Sequence, residues 1–410
     1  MIYDLIVIGG GPAGMMAAGR AGAKGARVLL LEKNAKLGTK LGVTGKGRCN
    51  ITNAEFDTRK LIAKYGRNGR FLFSGLNKFG VQEMLDFLKQ RGVPTKIERG
   101  NRVFPQSNQS ADVIGALTNY LKENKVTIQT KATVKSIERC NNKITQIVLS
   151  DGQKYLADKY AICTGGQGHP VTGSTGDAYA WLKKMGHKIT ELVPAIVPII
   201  LREKWIKELE GLSLKNVTIS PYQKGKKILS SFGEALFTDN GLSGPIAIDM
   251  SKAVGQSLKK GKVELHLDFK PALDFPALDK RLQRDFALLN NKLFRNSLAA
   301  LLPKKLIPVM IKLSQIDPDK KVNAISQAER KKLVHLIKDF TLQVKNLAGF
   351  NRAIVTSGGV DLKEVDPKNM QSKIIDNLYL AGEILDLDGP TGGYNLQMCW
   401  TTGYCLGDSI

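Results

Sequence analysis

A glycine cluster directly after an apolar strand constrains the fold more than any other feature. The residues Gly9-Gly10-Gly11-Pro12-Ala13-Gly14 form a GxGxxG pattern between the apolar run YDLIVIG and the stretch MMAAGRAGAKG, which is followed by ARVLLLE. Strand, glycine turn, helix and strand in this order predict the βαβ unit of a Rossmann-like fold. Gly9 permits the tight turn, Gly11 the approach of a diphosphate, and Gly14 close helix–strand packing. The diphosphate then binds free N–H groups at the helix N-terminus.

An acidic residue at the end of the second strand narrows the choice of ligand. Glu32 lies 18 residues after Gly14, where a carboxylate accepts hydrogen bonds from an adenosine ribose and disfavours a 2′-phosphate. The pattern therefore predicts FAD or NAD rather than NADP. Lys33, the next residue, is included in the predicted cofactor site.

Two later segments favour FAD over NAD. The apolar run Asn377–Ala381 ends in Gly382-Glu383, and Gly392-Gly393-Tyr394-Asn395 precedes the final helix. This arrangement resembles the second FAD motif of flavoproteins with two dinucleotide folds. The run Ala161-Ile162-Cys163-Thr164-Gly165-Gly166 resembles their Ala-Thr-Gly strand end. Because three separated pieces must meet at one cofactor, they indicate FAD.

A long loop rich in glycine, lysine and asparagine adds further candidate ligands. The segment Thr44-Gly45-Lys46-Gly47-Arg48-Cys49-Asn50 offers backbone donors, and Arg48 and Asn50 offer side-chain donors for a diphosphate or a flavin edge. Lys40 lies just upstream, within reach of a phosphate, and Val134 completes the predicted cofactor-binding set. The alternative is a loop that only turns and packs.

The motifs together resemble the YhiN/BaiN flavoprotein family, also labelled aminoacetone oxidase-like NAD(P)/FAD-dependent oxidoreductases. The resemblance rests on the loop and glycine motifs above and on three further segments: Thr172–Asp177, Leu236–Thr238 with Gly241–Pro245, and Gly389–Asn395. It implies an α/β fold in which residues 1–191 and 346–410 form a Rossmann-like FAD domain. A β-barrel domain (192–270) and a small helical domain (271–345) are then inserted, in agreement with a change from short β-like runs to helical periodicity. One departure is Gly168, where the family more often has serine.

The resemblance also implies a choice of activities. Family activities include reduction of uridine to dihydrouridine in large-subunit ribosomal RNA with FAD and NADH or NADPH, oxidation of aminoacetone, and reduction of bile-acid enones. An RNA-binding assembly factor without turnover is a further alternative. Lys and Arg number 61 against 37 Asp and Glu, giving a net charge of +24 and a pI near 9.7. This charge favours ribosomal RNA as the partner, against the alternative of a solvated lysine-rich surface.

Two residues are candidates for a proton donor in such a reduction. Cys49 lies in the site loop, although a free cysteine is equally expected as a small buried hydrophobe. His169 shares a loop with the glycines near residue 165. The five cysteines contain no CxxC pair, so neither a metal site nor a disulfide framework is predicted. The sequence predicts a cytoplasmic protein without a membrane span. It does not predict an oligomeric state.

Overall fold

The computed structural model describes residues 2–410, in which strands and helices alternate at both chain ends. The strands are, in chain order, β1 (Ile2–Ile8), β2 (Val28–Leu31), β3 (Thr52–Asn53), β4 (Thr95–Glu98), β5 (Arg102–Pro105), β6 (Thr127–Gln129), β7 (Val134–Cys140), β8 (Lys143–Leu149), β9 (Lys154–Ile162), β10 (Val193–Ala195), β11 (Ile199–Leu201), β12 (Ser213–Gln223), β13 (Lys226–Lys227), β14 (Ser231–Phe237), β15 (Gly241–Ser243), β16 (Glu264–Asp268), β17 (Phe340–Leu347), β18 (Val355–Ser357) and β19 (Leu378–Leu380). The helices are α1 (Pro12–Ala23), α2 (Thr39–Val43), α3 (Thr58–Ala63), α4 (Phe73–Lys78), α5 (Val81–Gln90), α6 (Ser110–Glu123), α7 (Asp177–Lys184), α8 (Pro245–Asp249), α9 (Ser251–Leu258), α10 (Phe275–Leu288), α11 (Ile307–Ser314), α12 (Gln327–Lys338) and α13 (Tyr394–Asp408).

The described chain divides into two compact units. Residues 2–194 with 350–410 form one, called here the Rossmann unit, and residues 195–349 form the other, called the inserted unit. Each has its own cluster of buried apolar side chains. The mixed α/β fold with a Rossmann-type domain is thus confirmed, whereas a division of the insertion near residue 270 stays a prediction.

A seven-stranded sheet forms the centre of the Rossmann unit. Its order is β6-β2-β1-β9-β8-β7, and β19 also pairs with β9. The strands β2, β1, β9 and β19 run parallel, and the register aligns Ile8 with Leu31 and with Ile162, which in turn aligns with Leu380. Strands in such a position are buried on both faces, which explains the unbroken apolar run of β2. The carboxyl ends of four strands from both chain ends therefore meet at one edge of the sheet.

The last helix packs against the first. A Cβ at Gly403 would lie 2.4 Å from the Ala13 carbonyl oxygen, and one at Gly407 would lie 2.4 Å from that of Ala17, so glycine is needed for the close approach of the two backbones. The guanidinium of Arg20 donates to Asp408 at 2.6 Å. This contact joins the last turn of α13 to the last turn of α1.

Antiparallel pairing organises the inserted unit. The order β13-β12-β14-β15-β11-β17-β16 closes into a ring because β12 also pairs with β16. The helices α10, α11 and α12 bury leucine, phenylalanine and valine side chains in the same apolar cluster as these strands. An ion pair of 2.7 Å between Arg330 and Asp279 joins α12 to α10. None of the helices within residues 2–410 combines the length and apolarity needed to cross a membrane.

Candidate functional site

The turn between β1 and α1 leaves open space where a diphosphate is expected. Gly9 has φ +106°, and a Cβ there would lie 2.5 Å from the Cys163 carbonyl oxygen. A Cβ at Gly14 would lie 1.9 Å from the Gly9 oxygen, whereas one at Gly11 would meet nothing within 4 Å. No side chain caps α1, which starts with Pro12. The first-turn N–H groups are therefore available for an anion, as the glycine pattern predicts.

Glu32 is held in place by backbone donors. One carboxylate oxygen accepts from the Gly10 N–H at 2.7 Å, the other accepts from the Asn34 N–H at 2.7 Å, and the residue is only 8% exposed. Each oxygen can accept a further hydrogen bond, so the carboxylate suits a ribose diol. The Glu32 carbonyl accepts from the Ala132 N–H at 2.9 Å, which brings the start of β7 and Val134 to the same region.

Two of the predicted cofactor residues, Lys40 and Glu383, form an ion pair with each other. The ammonium of Lys40 lies 2.7 Å from one carboxylate oxygen of Glu383, and their side chains are 21% and 12% exposed. The other oxygen accepts from the Thr356 N–H at 2.8 Å. Lys33, by contrast, pairs with Asp177 at 2.7 Å on a more exposed part of the surface. Lys40 therefore pairs with Glu383 in this structure, and its contact with a phosphate stays a prediction.

Thr356 is a residue of this site that the sequence did not reveal. Its hydroxyl accepts from the N–H groups of Gln167 and Gly168 at 2.7 and 2.9 Å, and so fixes the loop after β9. A Cβ at Gly166 would lie 2.5 Å from that hydroxyl oxygen. The only signal was the pair Gly358-Gly359 directly after the short buried strand β18, since paired glycines mark a close backbone approach.

The N-terminus of α13 lies against Thr52 of β3. Gly392 and Gly393 have φ of +114° and +102°, and a Cβ at Gly393 would lie 2.2 Å from the carbonyl carbon of Thr52. The Asn395 amide bonds to the N–H and carbonyl of Gly389 at 2.9 and 2.8 Å, and the Tyr394 carbonyl accepts from the Tyr65 hydroxyl. Asn395 and Tyr394 thus shape the loop before the helix.

The loop after α2 adopts a sequence of left-handed conformations. Gly45, Lys46, Gly47 and Cys49 all have positive φ, and the Thr44 hydroxyl donates to Leu41. With its amide reoriented, the Asn50 side chain accepts from Gly393 at 3.0 Å and so ties this loop to the start of α13.

The Arg48 side chain contacts residues of β4 and β5. Its guanidinium bonds to the carboxylate of Glu98 at 3.0 and 3.1 Å and lies 3.9 Å from the centre of the Phe104 ring. These contacts pair its charge and stack its plane. Arg48 therefore stabilises the loop against β4 and β5, and its contact with a diphosphate or a flavin edge stays a prediction.

The structure distinguishes the two candidate proton donors. Cys49 is fully buried, and burial raises the pKa of its thiol to about 12, which disfavours it as a donor to a substrate. His169 is half-buried, and its backbone, at φ +58°, donates to the Phe350 carbonyl at 3.1 Å. Within residues 2–410 the His169 imidazole has no hydrogen-bond partner, so it is free to contact a ligand.

The site fits a dinucleotide such as the expected FAD. The Thr164 hydroxyl, at the end of β9, is buried without a hydrogen-bond partner in the part of the chain that the structure describes. A buried polar group in this state requires a partner, and a ligand would supply one. Together with the open space at Gly11 and the uncapped N-terminus of α1, it supports a ligand across the strand ends. Among the same residues, no group of three or more His, Cys, Asp or Glu side chains could hold a metal ion.

Comparison with known proteins yields relatives along nearly the whole chain. The family model described as HI0933-like protein Rossmann domain matches residues 3–409. A 3-dehydro-bile acid delta(4,6)-reductase of Clostridium scindens is 31% identical, over 98% of this chain and 97% of its own. A ribosomal RNA dihydrouridine synthase of Escherichia coli is 27% identical, over 100% of this chain and 98% of its own.

A solved structure has a similar fold. The 3-ketosteroid delta1-dehydrogenase of Sterolibacterium denitrificans, in complex with 1,4-androstadiene-3,17-dione, matches with a TM-score of 0.55 and 16% identity over 99% of both chains. Because the family model covers all but the ends of the sequence, the chain belongs to the HI0933-like Rossmann-domain family, which confirms the resemblance seen in its motifs.

Proposed function

We propose that this chain, an FAD-dependent oxidoreductase, reduces a uridine of large-subunit ribosomal RNA to dihydrouridine. The balanced reaction takes uridine, NADH or NADPH, and one proton to dihydrouridine and the oxidised nucleotide. Such a substrate would place the protein in the cytoplasm. The proposal combines the chemistry shared by the named relatives with the charge of this chain.

The names of the relatives describe closely related reductions. In a uracil the C5–C6 double bond is conjugated with the C4 carbonyl. In a 3-dehydro-bile acid the delta-4,6 double bonds are conjugated with the C3 ketone. Both substrates accept a hydride at the carbon remote from the carbonyl and a proton at a carbon nearer to it. One arrangement of cofactor and proton donor can therefore serve either substrate.

The net charge is the observation that carries the RNA substrate. The inserted unit contains 27 Lys and Arg against 15 Asp and Glu, a difference of +12, which is half of the total of +24 in fewer than half of the residues. A cationic surface attracts polyphosphate and gains affinity by counterion release, whereas a single steroid carboxylate does not require it. We infer that the insertion, a β-barrel at 192–270 and a helical domain at 271–345, holds the RNA.

The residues of the Rossmann unit have distinct tasks. The N–H groups at the start of α1 bind the FAD diphosphate, Glu32 binds the ribose, and Thr164 bonds to the cofactor at the strand ends. When bound, FAD supplies the two-electron chemistry that side chains lack. The Lys40–Glu383 pair adds no net charge to the strand ends. His169 holds the proton that is donated to the substrate carbon.

The test uses ribosomal RNA from a strain that lacks the gene for this protein. Purified protein and NADH should form dihydrouridine in that RNA, detected by mass spectrometry as the gain of two hydrogen atoms. Because a general acid contributes about 10²–10⁴-fold, we expect H169N to slow the reaction by at least ~100-fold while flavin absorbance stays unchanged. Unmodified RNA with the wild-type protein would contradict the proposed RNA substrate. Full activity of H169N would contradict the role of His169 as proton donor.

The relative with 31% identity favours a second candidate, reduction of a small enone. A 3-oxo-delta-4,6 bile acid supplied with NADH should then lose its conjugated absorbance. Turnover of this compound together with unmodified ribosomal RNA would select the small-molecule function.

A further inference from the structure

An exposed phenylalanine lies beside a cavity of the inserted unit. Phe232, in β14, is 60% exposed, and the cavity has a volume of about 690 Å³. The cavity is open to solvent, so a ligand can enter it from the surface. Its lining consists of Lys215, Asn216, Phe232, Phe269, Lys270, Pro271, Ala272 and Leu273.

One wall of this cavity is held by hydrogen bonds. The ammonium of Lys338, only 7% exposed, bonds to the Asp268 carboxylate and to the carbonyls of Lys270 and Leu273. The Lys270 N–H donates to the other Asp268 oxygen at 2.8 Å. The segment 269–273 is therefore fixed before any ligand binds, which lowers the entropic cost of binding.

The lining carries positive charge without a partner. It contains two lysines and no carboxylate, and neither Lys215 nor Lys270 has an ion pair or an ammonium hydrogen bond within residues 2–410. Lys270 is half-buried, and burial, together with the nearby Arg281, lowers the pKa of its ammonium. A desolvated cation near another cation gains from an anionic ligand.

We propose that this cavity binds one unpaired nucleotide of RNA, with its base stacked on Phe232 and its phosphate near Lys215 and Lys270. An exposed aromatic ring beside cationic side chains is the combination by which proteins bind unstacked bases of single-stranded RNA. Asn216 adds an amide that can bond to a base edge. The inference rests on the proposed function in taking the partner to be RNA, and it deepens that function by assigning a contact point outside the Rossmann unit.

The test measures binding of a single-stranded RNA oligonucleotide containing 2-aminopurine to the FAD-loaded full chain. F232A should weaken binding by roughly 5- to 100-fold and abolish quenching of the probe, since stacking on an aromatic ring contributes this much per base. F232W should retain both, because indole also stacks. L288A, which removes another apolar side chain that is 80% exposed in the same unit, is the matched control and should bind normally.

The charge part of the proposal has its own variants. K215A/K270A should reduce the slope of log affinity against log salt by about 0.7, the value for one phosphate on a single strand. K204A/K207A removes the same net charge at two exposed lysines outside the cavity and should reduce the salt slope less.

Dihydrouridine formation in ribosomal RNA is measured in parallel. If the wild type modifies RNA while F232A and K215A/K270A bind the probe like their controls, the cavity assignment is overturned and the proposed function stands. If the wild type forms no dihydrouridine but F232A alone loses the probe, the cavity assignment stands and the proposed function fails. Displacement of the probe by polyglutamate as effectively as by RNA would overturn the assignment to RNA.

Discussion

Removal of Lys40 should destabilise the Rossmann unit through Glu383. The substitution K40M keeps most of the side-chain length but leaves the Glu383 carboxylate, 12% exposed, without the ammonium at 2.7 Å. Breaking a fully buried pair costs about 3–5 kcal/mol, and an exposed pair contributes about 0–1 kcal/mol. Since the Thr356 N–H still donates to Glu383, we expect a loss of about 2 kcal/mol in the free energy of unfolding.

Urea unfolding of the cofactor-free protein measures this loss. Tryptophan fluorescence reports on the Rossmann unit alone in a W205F background, because Trp181 and Trp400 lie in that unit and Trp205 lies in the other. K33M is the control, since the Lys33–Asp177 pair has the same 2.7 Å distance but side chains 28% and 46% exposed. We expect K33M to cost below about 1 kcal/mol.

A double variant separates the lost charge pair from lost packing. K40M/E383Q removes the unpaired charge and keeps an acceptor for Thr356, so it should be about 1 kcal/mol more stable than K40M alone. The reasoning is refuted if K40M costs no more than K33M, or if E383Q adds its full cost to that of K40M.

Three further predictions concern a glycine, the thiols and a buried histidine. G14A should abolish flavin binding, seen as loss of flavin absorbance, because the new Cβ would lie 1.9 Å from the Gly9 carbonyl oxygen. G115A, in α6, is the control: its Cβ would meet nothing within 4 Å, so it should raise the free energy of unfolding in urea by about 0.5–1 kcal/mol. A thiol reagent should modify exposed Cys140 in the folded protein and leave Cys49, whose pKa burial raises to about 12, as mass spectrometry of peptides can show. Burial lowers the pKa of His187 below its usual 6.5, so the unfolded chain binds more protons at this residue than the folded chain does. The contribution of neutral His187 to the free energy of unfolding should therefore be fully present above pH 6.5 and be lost on acidification. Urea unfolding between about pH 7 and about pH 5 should show a smaller loss in H187Q than in the wild type.

The parts of the site that depend on local sequence could be predicted. The turn at Gly9 and Gly14 and the carboxylate of Glu32 are set by spacing within one βαβ unit, and the structure places them at the strand ends. The sequence also predicted that the pieces ending at Gly165 and Gly382 meet the first glycine turn at one cofactor, and the parallel pairing of β1, β9 and β19 brings their ends to one edge of the sheet. Such features are predictable because neighbours along the chain determine them.

Partners distant in the sequence could not be predicted in the same way. Arg48 stacks on Phe104 and pairs with Glu98. Glu98 lies near Arg48 because β4 pairs with β5. Thr356 bonds to Gln167 across 189 positions. No local pattern encodes these contacts, and a glycine-rich loop gives the same signal whether its arginine binds a ligand or another strand.

The proposed division of tasks between the two units would explain why one family can include relatives with different substrates. The features that would hold FAD and the imidazole of His169, the proposed proton donor, lie in the Rossmann unit. Half of the net charge, the exposed Phe232 and the unpaired lysines beside it lie in the inserted unit. Under the proposed function, substitutions on that surface would leave the strand ends untouched and would change which molecule binds without changing the reaction. Selection for an RNA or for a steroid would therefore act first on residues 195–349.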